Sequence, residues 1–181
     1  MPESDTVPGT LRAVLLAAAR AAFAEVAGGA ESAEYCGYAL YSDADAGSVC
    51  CAVNTRAHLA RAQAGDPDDA EYYRWTPAEW ALEGVGHEHF APLGRRLLGR
   101  SPTARGPELP AWREGVYEAC VATLETLRAE GLFGPAPDTV VVFAVSDHED
   151  PVREVEWIRR LNPPSQARRF ARRLHDASAR T

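Results

Sequence analysis

Six consecutive apolar residues, Val140, Val141, Val142, Phe143, Ala144 and Val145, stand between Pro137-Asp138 and the polar cluster Ser146, Asp147, His148, Glu149 and Asp150. A run of that length, rich in β-branched residues and bounded by turn-forming ones, predicts a strand near 139–146 that is buried on both faces at the centre of a sheet. Ahead of it, Leu11, Val14, Leu15, Ala18, Ala22 and Val26 recur at helical spacing, with Thr10 as N-cap and Gly28-Gly29 as the stop. Residues 35–42 and 48–54 then read as two strands of a β-hairpin, joined by Asp43-Ala44-Asp45-Ala46-Gly47. Tyr38 and Leu40 share one face of the first strand, and Val49, Cys51 and Val53 share one face of the second.

A short helix is predicted over 55–64 and a polar loop over 65–69. A short strand ending near Trp75 then turns directly into a helix, with Thr76 as N-cap, Pro77 at its first position and Glu79 at its third. Helices follow over 92–98 and 110–130, the second with Val116, Cys120, Leu124 and Leu127 on one face. After the apolar run, Asp150 caps a helix that opens at Pro151 and turns Val152, Val155, Ile158 and Leu161 inward. Ser165 caps a last helix, with Ala167, Phe170, Ala171 and Leu174 inward and Arg168, Arg169, Arg172 and Arg173 outward. Interspersed strands and helices with one hairpin give an α+β fold: a single domain over 1–181, with a mixed or largely antiparallel sheet covered by helices.

Composition narrows the class. A chain of 181 residues with 46% hydrophobic and 25% charged residues has the make-up of a globular domain with a sizeable core. The apolar stretch 14–26 is broken by Arg20 and Glu25 and is too short to span a bilayer, so the expectation is a cytoplasmic protein without a membrane partner. All 19 basic residues are arginine, and the net charge of −7 is uneven. Residues 1–90 carry 14 acids against 5 arginines, and 91–181 carry 12 against 14. The acidic front half argues against nucleic acid as a partner. Cys36, Cys50, Cys51 and Cys120 form no C-x-x-C pair and read as free thiols.

Several stretches carry candidate chemistry. The alternating carboxylates Asp43 and Asp45 before Gly47 have the look of a calcium loop, but Asn54 stands where a bidentate glutamate belongs, and a hairpin turn accounts for them. Glu71, Tyr72, Tyr73, Arg74, Trp75, Glu79 and Trp80 form the most distinctive sequence, either anchors for a corner or a recognition surface rich in hot-spot residue types. His87 and His89, one residue apart, could both reach a metal from an extended segment, although no H-E-x-x-H is present. The four outward arginines of the last helix read as a solvated face or as a dock for an acidic partner.

The segments Tyr38-Ala39-Leu40-Tyr41-Ser42-Asp43, Asn54-Thr55, Tyr73-Arg74-Trp75-Thr76-Pro77-Ala78-Glu79-Trp80, Val145-Ser146-Asp147 and Leu161-Asn162-Pro163 together resemble the bacterial domain of unknown function family 4303. The resemblance runs from the first helix to about Pro164. It implies an uncharacterised α+β protein from a family with members beside toxin and immunity genes, and it supplies no catalytic residues.

Two function classes follow. The first is a non-enzymatic protein-binding module, an immunity or accessory protein whose acidic, aromatic surface meets a basic, toxin-like partner. Its contact set is Asp43, Asp45, Asp66, Asp68, Asp69 and Glu71, with Tyr72, Tyr73 and Trp75 as anchors, and no cofactor is expected. The second is a small metal-dependent hydrolase built on Asp147, His148, Glu149 and Asp150, joined by His87 and His89. No P-loop, G-x-S-x-G or G-x-G-x-x-G accompanies it.

Overall fold

The computed structural model describes residues 7–28, 34–100, 106, 108–134, 138–147 and 150–178. The first helix, α1 (Val7–Ala27), starts three residues ahead of Thr10, so Thr10 lies inside it and is not its cap. The hairpin forms as its alternation predicts: β1 (Tyr35–Ser42) and β2 (Val49–Thr55) are antiparallel. The turn between them is stapled by Asp43, whose carboxylate accepts from the N–H groups of Asp45 (2.9 Å) and Gly47 (3.0 Å) and from Ser48 Oγ (2.6 Å). Burial alone would push the Asp43 carboxyl up, but these donors outweigh it and hold it below the ordinary value.

Thr55 caps α2 (Arg56–Gly65), its hydroxyl accepting from the His58 N–H at 3.1 Å. The expected short strand ending near Trp75 is instead a helix, α3 (Ala70–Trp75), and the helix expected after Thr76 is one 3-10 turn, Pro77–Glu79. Tyrosine and tryptophan favour strands only through what they pack on. Here a helical turn lets Trp75 Nε1 donate to Glu71 Oε2 at 3.1 Å while its ring meets Phe170 edge-on at 5.3 Å. A two-residue strand, β3 (Leu82–Glu83), then pairs with β2.

Next come α4 (His87–Arg100) and α5 (Leu109–Ala129), followed by β4 (Val140–Val145), α6 (Pro151–Leu161) and α7 (Pro164–Ser178). The strand order is β3-β2-β1-β4, with β4 parallel to β1. The apolar run is therefore an edge strand and not the central one. It is apolar throughout because helices cover both of its faces, whatever its place in the order. Val141, Phe143 and Val145 face a core shared with α1, α4 and α5. Val140 and Val142 face a second core with Trp75, Trp80, Ile158, Ala167 and Phe170.

The α6 helix seals the β4 edge. Asn162, buried just past its end, accepts from the Val141 N–H at 2.8 Å and donates to the Val141 carbonyl at 2.6 Å, standing in for a neighbouring strand. Asp150 caps α6 as predicted, accepting from the Arg153 N–H at 3.0 Å. The inward stripe of α6 differs from the predicted one: Val152 is 78% exposed, and Trp157 takes its place, 4.9 Å from the Phe143 ring. A large ring with aromatic neighbours on two elements outcompetes a valine in the first turn. Likewise α7 begins at Pro164, which puts Ser165 inside its first turn and not at its cap. The four cysteines are free thiols, and burial pushes Cys51 up to about 12. No described helix is long and apolar enough to cross a membrane.

Candidate functional site

The structure divides the acidic contact set between the two sides of the sheet. Asp43 and Asp45 lie at the hairpin tip against α5, where Asp45 pairs with Arg113 at 2.6 Å and the Tyr117 hydroxyl donates to the Asp43 and Ala44 carbonyls. Asp66, Asp68, Asp69 and Glu71 lie on the opposite side, on and beside α3, which packs on α7. They keep company there with Tyr72, Tyr73, Arg74, Trp75 and Glu79.

This second group has a defined geometry. The Tyr73 hydroxyl reaches Asp66 Oδ2 at 3.4 Å, and the Tyr72 hydroxyl donates to Glu79 Oε1 at 3.1 Å. Glu71, already held by Trp75, pairs with Arg169 of α7 at 2.5 Å. Arg173 of the same helix lies over the Tyr72 ring, 5.4 Å from its centroid. Two of the α7 arginines thus dock on their own molecule, while Arg168 and Arg172 stay exposed. Trp75 and Trp80 are buried. Trp80 covers Gly37, where a Cβ would come within 3.0 Å of its ring, so Trp80 serves the core and not the surface. Arg74 is largely enclosed; burial, then repulsion from Arg169, lowers its pKa.

Two hollows flank Tyr72 and Arg173. One, of about 300 Å³, opens between the 67–71 segment and Arg169 and Arg172. The other, of about 410 Å³, runs between α3, α6 and α7 over Val142 and Ala144, walled by Trp75, Ile158 and Phe170. Its charged groups are Asp147, Glu154 and Arg173. Burial pushes the Glu154 carboxyl up and the Arg173 guanidinium down. Sequence reading passed over Glu154 and Phe170 as site residues and left Arg173 on a solvated or docking face, because three separate elements enclose the groove and no local spacing marks it.

The described residues of the hydrolase alternative are dispersed. His87 and His89 sit in the first turn of α4 and not on an extended segment, with the His87 side chain 84% exposed. His89 meets Glu25 of α1 at 2.6 Å. Asp150 is used as a helix cap, and Asp147 lies in the left-handed region at φ 55° at the groove mouth. His148 and Glu149 lie outside the described residues. Among the described residues Asp147 joins no set of three metal-ligating groups.

A family model described as a domain of unknown function, DUF4303, matches residues 15–163. The chain belongs to the DUF4303 family. No curated protein and no solved structure matches the chain. The DUF4303 match takes in the hairpin, the Asp66 to Trp80 segment, β4 and α6. It stops before α7, so Arg169 and Arg173, which close over Glu71 and Tyr72, lie outside the matched span.

Proposed function

We propose that this DUF4303 protein is a cytoplasmic protein-binding module without chemistry of its own, an immunity or accessory protein that acts by covering a basic, toxin-like partner. The contact face is the α3–α7 side. What supports this reading is the pairing of a fixed acidic segment with a partly exposed aromatic. Asp66, Asp68 and Asp69 lead into α3, whose Tyr72 remains 36% exposed between the two hollows under Arg173. Aromatic rings beside oriented charges are what interface hot spots use, and an acidic rim speeds encounter with a basic partner. Asp43 and Asp45 drop out of the contact set, since Asp43 staples the hairpin turn and Asp45 pairs with Arg113 of α5.

The test is affinity for the proteins encoded beside this one, measured for Asp68→Lys with Asp69→Lys against Asp45→Lys. The double reversal is expected to weaken the true partner by about tenfold or more at low salt, an effect that salt diminishes, while Asp45→Lys binds as the wild type does. Partners that bind all three proteins equally would overturn the assignment.

A further inference from the structure

The start of α4 is docked on α1 more closely than ordinary side chains allow. Gly86 has φ +58°, and a Cβ there would lie 2.7 Å from the Ala22 Cβ. Just before it, the Cys51 thiol donates to the Val85 carbonyl at 2.7 Å, tying the same corner to β2. This close approach fixes the first turn of α4 against the last turns of α1, and it carries His89 over to Glu25. His89 Nε2 lies 2.6 Å from Glu25 Oε1 and 3.9 Å from Glu88 Oε1. The three donor atoms all fall within 4.8 Å of one another, and among the described residues no other three metal-ligating side chains converge in this way.

From this geometry we infer a binding site for a divalent transition-metal ion, with His89 Nε2, Glu25 and Glu88 as ligands. Donors on one such ion, each bonded at about 2.0–2.1 Å in tetrahedral array, stand roughly 3.3 Å apart, between the two distances that His89 now makes. Small rotations of two exposed carboxylates reach that spacing, and the backbone need not move. One imidazole with two carboxylates selects the zinc, cobalt and nickel class; calcium and magnesium take oxygen ligands in greater number. The fourth position is left to water. His87 is not a ligand: its Nδ1 faces the other Glu88 oxygen at 3.4 Å and lies outside the converging set. The ion clips α1 to α4 across a helix pair that the sequence separates by some sixty residues.

Titration of the untagged, metal-stripped protein with Co²⁺, followed by its visible absorption and by calorimetry, tests the assignment. One equivalent is expected to bind, with a spectrum indicating nitrogen and oxygen ligands, and Zn²⁺ should displace it and raise the melting temperature. His89→Ala and Glu25→Gln should each weaken binding by at least about tenfold, whereas His87→Ala and His175→Ala should not. Glu25 is an exposed carboxylate, so Glu25→Gln separates lost binding from lost folding, with the melting temperature in chelator as the check. Three results overturn the site: no saturable binding by the wild type, equal binding by all variants (an adventitious ion only), or loss in His87→Ala equal to that in His89→Ala.

Discussion

Glu154 shows what a single half-buried carboxylate contributes. It sits among Trp75, Ile158 and Phe170, in a groove whose apolar walls disfavour its charge, so its folded pKa stands above the unfolded one. Between those two values the folded state binds the proton more tightly. The stabilising contribution is therefore fully present below the unfolded value, roughly 4.3, and is lost as pH rises through the folded one. Glu154→Gln keeps the shape and removes the charge. It is expected to raise stability at pH 7 and to lose that advantage as pH falls to about 4, in urea melts across that range. A constant difference at every pH would reject this account. Asp43 and Asp150 could be read from sequence because their partners lie within five residues of them. Glu154 could not, because α3 comes from a distant part of the chain to enclose it while α7 folds back from the other side.

At the scale of elements, β4 and α6 form a unit through one side chain. Asn162 bonds both polar backbone groups of Val141, so Asn162→Ala strands two buried groups and is expected to cost about 2–4 kcal/mol in chemical unfolding. A loss below about 0.5 kcal/mol would mean that water replaces the amide without penalty. The sequence marked this residue as part of the Leu161-Asn162-Pro163 segment that carries the family resemblance. Hairpin and long helices were legible because one buried face imposes a period on each, and the apolar strand because burial on both faces makes it apolar without a break. The helix α3 was not. Its six residues are too few to display a helical period, and their aromatic content points to a strand until the Glu71–Trp75 bond and the Phe170 contact are known.

For the molecule as a whole, β1 binds the two cores together: Tyr38 and Leu40 enter one, and Ala39 the other. Neither core can loosen without disturbing that strand, so unfolding is expected to be a single transition. Replacing Trp75 and Trp80 by Phe leaves fluorescence reporting the first core; replacing Trp112 and Trp157 leaves it reporting the second. Urea midpoints that coincide between fluorescence and circular dichroism within each variant bear this out, and separated midpoints within one variant would refute it. The asymmetry of charge along the chain was plain in the sequence, but its division between the two sides of the sheet was not, because an antiparallel hairpin carries its tip away from the chain that follows. Both margins of the sheet are blunted. Asn162 occupies one, where α6 lies along β4, and β3 offers only two residues at the other. Each feature shortens the ladder open to a foreign strand, which works against polymerisation. Docking that reads side chains lets partner choice drift by point substitution on α3 and α7 while the sheet stays unchanged.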